Sequence, residues 1–313
     1  MKRFDNSVLA EKILSLKKEK NAIILAHYYT AGEVQAVADF VGDSLALSQR
    51  AAEVDADIIL FAGVKFMAET AKVLSPTKKV LLPVVEAGCS LADSCDAGIL
   101  AQVKVENPDH LVVAYVNTSV EVKALTDICC TSSNALKIVE SLPEGQKILF
   151  VPDRNLGGYI NRCTGREMKL WDGACLVHEE FSVEEIVRLK AAHPQAKVVV
   201  HPECRAEVVE MADYAGSTAG ILAYCEKSDA EEFVVTTESG ILYEMMQRMP
   251  EKKFYPVPKK GCCEGCISCL DMKKVTLENI YDTLLHETPE VVIDEDIRAK
   301  AEGSIVRMLE MSK

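Results

Sequence analysis

The chain is short of basic residues. Lys plus Arg number 35 against 48 Asp plus Glu, a formal charge of −13. That balance excludes nucleic acid and anionic membrane surfaces as expected partners. No apolar run approaches the ~20 residues that span a bilayer. Neither G-x-G-x-x-G nor G-x-x-x-x-G-K-[ST] occurs, so dinucleotide and nucleoside triphosphate sites have no support. No Gly/Ser/Pro-rich linker interrupts the chain, which points to a compact assembly. The opening MKRFDNSVLAEKILSLKKEK keeps charges throughout and does not read as an export signal. A reducing cytoplasm is therefore the expected compartment.

What is present is more telling. The 313 residues, 49% hydrophobic and 27% charged, suit two or three globular units. Twelve cysteines are many for such a chain. In a reducing compartment, clustered cysteines point to metal or redox chemistry before structural disulfides.

Three segments share one pattern, starting at Ile23, Leu111 and Lys197. Asp39, Asp127 and Asp213 mark the register, at an interval of about 87 residues. Twelve residues before each aspartate stands His27, Tyr115 or His201. Two residues after that position stands Tyr29, Asn117 or Glu203, and five after the aspartate stands Ser44, Ser132 or Thr218. Fixed offsets of several polar positions in three segments indicate duplication.

AIILA, HLVVAYV and AKVVV read as buried strands, followed by helix-spaced stretches such as GEVQAVADFV and AEVVEMADYA. DIILFAG, KILFVPD and EFVVTTE supply a later strand in each repeat, and KKVLLPV, MKLW and KKFYPV a third apolar piece. This order predicts an α/β chain of three pseudo-symmetric α/β/α units with parallel sheets around a central active site. The expected divisions are 1–88, 89–175 and 176–275. Residues 276–313 are read as helices packed on the outside, as are the first twenty or so.

Ligands bind at the carboxyl ends of parallel strands. The triplets His27-Tyr28-Tyr29, Tyr115-Val116-Asn117 and His201-Pro202-Glu203 stand there, and three facing units would bring them to one cleft. Ser44, Ser132 and Thr218 lie in the turns VGDS, CTSS and AGST before further helical stretches, a seat for carboxylate or phosphate. The competing reading makes them helix caps and nothing more. Glu203 beside His201 suits general acid/base work. His110, His193 and His286 read as surface residues.

The cysteines keep the repeat as well. Cys89 and Cys175 close the first two repeats, and Cys262, Cys263, Cys266 and Cys269 close the third. One thiolate per unit is one ligand short of structural zinc. It matches a [4Fe–4S] cluster with one open iron, able to act as a Lewis acid in dehydration. A zinc knuckle or disulfide switch over residues 262–269 is the alternative. Cys95, Cys129, Cys130, Cys163, Cys204 and Cys225 read as structural thiols.

Nearly end to end, the chain resembles the quinolinate synthases, iron–sulfur enzymes of NAD biosynthesis. The resemblance rests on AHYYT at Ala26, GDS at Gly42, AGCS at Ala87, YVNTS at Tyr115, DGACLVHE at Asp172, HPEC at His201, GST at Gly216 and CLDMKKVTLE at Cys269. It implies condensation of iminoaspartate with dihydroxyacetone phosphate to quinolinate, with loss of phosphate and two waters. It further implies a [4Fe–4S] cluster on Cys89, Cys175 and Cys269, where the repeat interval alone selects Cys262 over Cys269. Substrate contacts are implied at His27, Ser44, Tyr115, Val116, Asn117, Ser132, His201, Pro202, Glu203 and Thr218, and active-site roles for Tyr29 and His178. Iron–sulfur assembly machinery and the enzyme that oxidises aspartate are the implied partners. Cys263 and Cys266 resemble the C-x-x-C-x-x-C of some members, in which a disulfide tunes activity; whether they pair in this chain stays open. Two other functions stay open on the residues: another iron–sulfur hydro-lyase acting on a small hydroxy acid, or a non-catalytic zinc or redox module.

Overall fold

The computed structural model describes residues 6–259 and 267–313. Its strands are β1 (Ala22–His27), β2 (Phe40–Gly42), β3 (Ile58–Ala62), β4 (Lys79–Leu81), β5 (Leu111–Tyr115), β6 (Ile128–Cys130), β7 (Ile148–Val151), β8 (Lys169–Leu170), β9 (Lys197–Val200), β10 (Tyr214–Ala215), β11 (Glu232–Thr236) and β12 (Lys253–Pro256). They form three four-stranded sheets, ordered β2-β1-β3-β4, β6-β5-β7-β8 and β10-β9-β11-β12. Every pairing within these sheets is parallel. Helices flank each sheet, so the α/β/α repeat expected from the sequence is the observed architecture.

The central strands are buried along nearly their whole length, which explains why IILA, VVAY and VVV show no polar alternation. In the third unit the alternation is instead between two packed faces. Phe233 and Val235 join one apolar cluster, and Val198, Val200 and Val234 join another.

One element per unit differs from the sequence reading. The stretches read as helix after β1, β5 and β9 stop early, at Gly32–Val37, Val120–Ala124 and Ala206–Val209. The chain then adds the short edge strands β2, β6 and β10. The register aspartates explain the stop. Asp39 Oδ2 accepts the Ile24 N–H at 2.8 Å while the Asp39 N–H donates to the Ile24 carbonyl at 2.9 Å. Asp127 does the same with Val112, and Asp213 with Val198. Each aspartate thus clips its edge strand to the central strand and leaves no route for the helix to continue. A lysine pairs with each: Lys17 at 2.8 Å, Lys104 at 3.8 Å and Lys197 at 2.9 Å.

The terminal helices are less peripheral than expected. Asn6–Glu19 packs through Leu9 and Ile13 against Ile280 and Leu284 of the helix Leu277–His286. The last helix, Glu295–Met311, buries Ala301, Ile305 and Met308 in a core shared by the first and second sheets. Burial of Ile305 or Met308 contributes roughly 1.5–3 kcal/mol relative to exposure. Ser304 Oγ also donates to the Lys123 carbonyl of the second unit. The expectation of helices lying on the outside is corrected for this one.

Candidate active site

The carboxyl ends of all three sheets open on one cavity of ≈ 630 Å³, counted with its mouth. Its wall contains His27, Tyr29 and Ser44 from the first unit and Tyr115, Asn117 and Ser132 from the second. His201, Glu203 and Thr218 come from the third, and Cys89, Cys175, His178 and Cys269 complete the set. Thirteen of the fifteen residues singled out from sequence therefore converge. Val116 and Pro202 are buried but outside this lining. Strand alternation turns Val116 away from Tyr115 into the core, where its N–H donates to the Cys130 carbonyl at 2.8 Å. Pro202 has no N–H to offer.

The first and third units build the same histidine. The Tyr29 N–H donates to His27 Nδ1 at 3.1 Å, and the Glu203 N–H donates to His201 Nδ1 at 3.3 Å. With Nδ1 accepting, each neutral ring carries its proton on Nε2. Burial lowers both from 6.5 to about 3, against the opposing pull of the Glu203 charge. Both are therefore neutral N–H donors at physiological pH. His201 Nε2 lies 3.3 Å from Ser132 Oγ.

Glu203 is 3% exposed. Burial alone would push its carboxyl up, but the facing His178 and His201, with hydrogen bonds from His178 and Tyr115, hold it below the usual carboxylate range. The Tyr115 hydroxyl donates to Glu203 Oε1 at 2.5 Å, and His178 Nδ1 lies 2.9 Å from Oε2. Burial first, then the Glu203 charge, keep the Tyr115 phenol protonated.

These contacts belong to a longer chain. Thr218 Oγ1 lies 2.7 Å from the Tyr29 hydroxyl, which lies 2.9 Å from Thr237 Oγ1. Thr237 Oγ1 is 3.1 Å from His178 Nε2. The sequence Thr218–Tyr29–Thr237–His178–Glu203–Tyr115 is thus one hydrogen-bonded relay through residues of all three units. Thr237 was not foreseen. It sits just past the end of β11, and applying the strand-end rule to the later strands as well as the first would have found it.

Ser44 and Thr218 are the first residues of their helices, Ser44–Glu53 and Thr218–Lys227, but not the caps. Asp43 and Ser217 cap instead, accepting from the Ala46 and Gly220 N–H groups at 3.0 Å each. The cap-only reading is therefore corrected: neither hydroxyl is spent on its own helix end. Ser133 Oγ joins Asp43 Oδ2 at 2.5 Å and Ser217 Oγ at 2.8 Å, tying the units together beside the cavity. Asn117 lines the cavity, and its buried Oδ1 has no hydrogen-bond partner among the described residues.

Cys89, Cys175 and Cys269 are half-buried free thiols on the cavity wall. Each is the residue before a four-residue helix: Ser90–Asp93, Leu176–Glu179 and Leu270–Lys273. Burial pushes the Cys89 thiol up to about 12, and raises Cys175 and Cys269. Neighbouring thiolate charge adds to the shift at Cys89 and Cys175. Three thiolates could coexist here only against strong positive charge, as a metal centre supplies. Three sulfurs around one tetrahedral ion would stand about 3.8 Å apart. Among the described residues, the set of metal-type donors with all atoms within 4.8 Å of one another is Cys175, His178 and Glu203, not the three cysteines. The three cysteine sulfurs do not all lie within that distance of one another, so they do not stand as ligands of one tetrahedral ion. Cys262, Cys263 and Cys266, with the expected disulfide or zinc knuckle, lie outside the described residues. Of the cysteines read as structural, five are buried and Cys163 is exposed. Of the histidines read as surface, His286 is exposed, while His110 and His193 are half-buried and His193 stacks on Tyr255. Among the described residues no helix is long and apolar enough to cross a membrane.

Comparison with known proteins bears on this arrangement. The family model described as Quinolinate synthetase A protein matches residues 11–310. The quinolinate synthase of Microcystis aeruginosa is 54% identical over 300 residues, covering 96% of this chain and 94% of the relative. That of a Nostoc species is 54% identical over 300 residues, with 96% and 92% covered. That of a Synechocystis species is 53% identical over 304 residues, with 97% and 95% covered. A match of this extent, over a cavity assembled from the motifs that carried the resemblance, means that the chain belongs to the quinolinate synthetase A protein family.

Proposed function

We propose that the protein is a quinolinate synthase, condensing iminoaspartate with dihydroxyacetone phosphate and releasing phosphate and two waters. The observation that carries this reading is the convergence of three thiols, two neutral histidines and an ionised carboxylate on one cavity, in a chain with these relatives. Cys89, Cys175 and Cys269 would hold a [4Fe–4S] cluster. When bound, the cluster supplies an open iron, a Lewis acid suited to expelling hydroxyl groups as water.

The chain's own residues divide the remaining work. The substrates carry two carboxylates and a phosphate. His27 and His201 offer Nε2–H donors, and Ser44, Ser132 and Thr218 offer hydroxyls, the first and last at helix starts where N–H groups favour anions. Asn117 Oδ1 is placed to accept an N–H from the nitrogen-bearing substrate. Glu203, held ionised, takes a proton, and Tyr115 returns one through its direct hydrogen bond. The relay through His178, Thr237 and Tyr29 lets that proton move without bulk water. A positioned acid or base of this kind is typically worth ~10²–10⁴-fold. The same reading places the protein in the cytoplasm, dependent on iron–sulfur assembly machinery and on an aspartate-oxidising enzyme for one substrate.

Anaerobic purification with iron and sulfide assays, followed by the condensation assay, tests it. Cys89→Ala and Cys175→Ala should each lose the cluster and all quinolinate formation. Full iron and activity in either variant would overturn the assignment. Metal retained only by residues 262–269 would favour the zinc or redox module, and turnover of a hydroxy acid without condensation would favour the other hydro-lyase.

A further inference from the structure

Asp153 and Glu238 occupy one repeat position, two residues beyond the ends of β7 and β11. Both are 0% exposed, and neither belongs to the relay. Asp153 Oδ2 accepts the amide N–H of Cys175 at 3.3 Å while Oδ1 accepts that of Leu156 at 2.7 Å. Glu238 Oε1 accepts the amide N–H of Cys269 at 3.1 Å while Oε2 accepts that of Gly240 at 2.6 Å. Each buried carboxylate thus ties the main chain of one cavity cysteine to the end of a strand.

The first unit lacks the device. Val64 stands at the matching position, and the Cys89 amide has no acceptor among the described residues. In the third unit the tie extends further. Lys273 Nζ lies 3.0 Å from Glu238 Oε1 and donates to the Tyr29 carbonyl at 2.6 Å. Glycine is required at 240: a Cβ there would sit 2.6 Å from the Tyr28 carbonyl oxygen and 2.7 Å from Glu238 Oε2.

Burying a carboxylate is costly, and a main-chain N–H on each oxygen offsets part of that cost here. We infer that Asp153 and Glu238 are positioning residues that fix the backbone under two of the three thiol ligands, leaving Cys89 as the adjustable one. The inference rests on the cluster reading above. Outer partners of metal ligands typically govern retention of the metal 10–100-fold.

The test uses the full chain, reconstituted without oxygen. Asp153→Asn and Glu238→Gln preserve shape but turn one N–H acceptor into a donor. Each should release iron to a chelator at least about tenfold faster than the unsubstituted protein, with an altered electron paramagnetic signature of the reduced cluster. Leu100→Ala, in a fully buried position outside the cavity lining, controls for plain destabilisation. It should lower the melting temperature without that acceleration. Wild-type release rates in Asp153→Asn and Glu238→Gln, or rates that simply follow melting temperature as in Leu100→Ala, overturn the inference. An unsubstituted chain that takes up no iron and sulfide overturns the cluster reading instead. Hydrogen exchange on the cluster-free chain gives a second reading that needs no variant. Cys175 and Cys269 amides should be protected well beyond that of Cys89, and equal exchange at all three overturns the inference.

Discussion

His27 in the first unit and His201 in the third share a backbone device and differ two residues later. In both, the i+2 amide pins Nδ1 and burial keeps the ring neutral. The residue that supplies the amide is Tyr29 in one case and Glu203 in the other. The duplicated scaffold therefore delivers a donor twice, while the adjoining side chain is a phenol in one corner and a carboxylate in the other, which the proposed function reads as a proton relay and a base. The second unit replaces the histidine by Tyr115, which points its hydroxyl at Glu203. Repetition supplies placement, and divergence at the matched positions supplies different side chains there.

The comparison breaks most visibly at its charged corner. Glu203→Gln should lower kcat for quinolinate formation by about 10²–10⁴-fold with the iron content retained. A variant at near wild-type kcat would reduce Glu203 to a relay member like its counterpart Tyr29.

A smaller effect sharpens the shared part. His27 and His201 have folded-state pKa values of about 3, against about 6.5 in an unfolded chain. Below pH 6.5 the unfolded chain binds protons that the folded one refuses, so stability falls as pH drops toward 3. Each histidine contributes a slope of up to about 1.4 kcal/mol per pH unit. Urea unfolding of the cluster-free chain at pH 7 and pH 5 reads the loss. Replacing either histidine by asparagine should flatten the slope, and an unchanged slope would mean the rings are charged in the folded state. Tyr115, neutral throughout that range, contributes nothing to it.

The smallest effect concerns the scaffold alone. Asp39→Ala, Asp127→Ala and Asp213→Ala each remove one side-chain clip and one lysine pair from a partly exposed site. Each should cost about 1 kcal/mol in urea unfolding, and leave kcat within about twofold because none reaches the cavity. A much larger cost in one unit would show that the three clips are not equivalent.

The repeat made much of this readable from sequence. Three aspartates with constant offsets fixed the register, and the same offsets led to His27, Tyr115, His201, Ser44, Ser132 and Thr218. The edge strands β2, β6 and β10 were not readable. They are two or three residues long and continue a helix-spaced pattern, so only the tertiary clip to the central strand distinguishes them. Thr237, Asp153 and Glu238 were missed for another reason. A threonine or carboxylate just past a strand looks like ordinary turn chemistry, and its meaning comes from partners many residues away. Cys269 shows the limit of the interval itself. Cys262, which the interval selects, lies outside the described residues, whereas Cys269, which the motif selects, stands on the cavity wall.

The last helix carries no reacting group, yet it plugs the seam between the first two units with Ala301, Ile305 and Met308. During synthesis every side chain of the cavity leaves the ribosome before this plug exists. Until this helix emerges, the seam has to be held by the polar contacts of Ser133 and by the apolar residues of the two units alone.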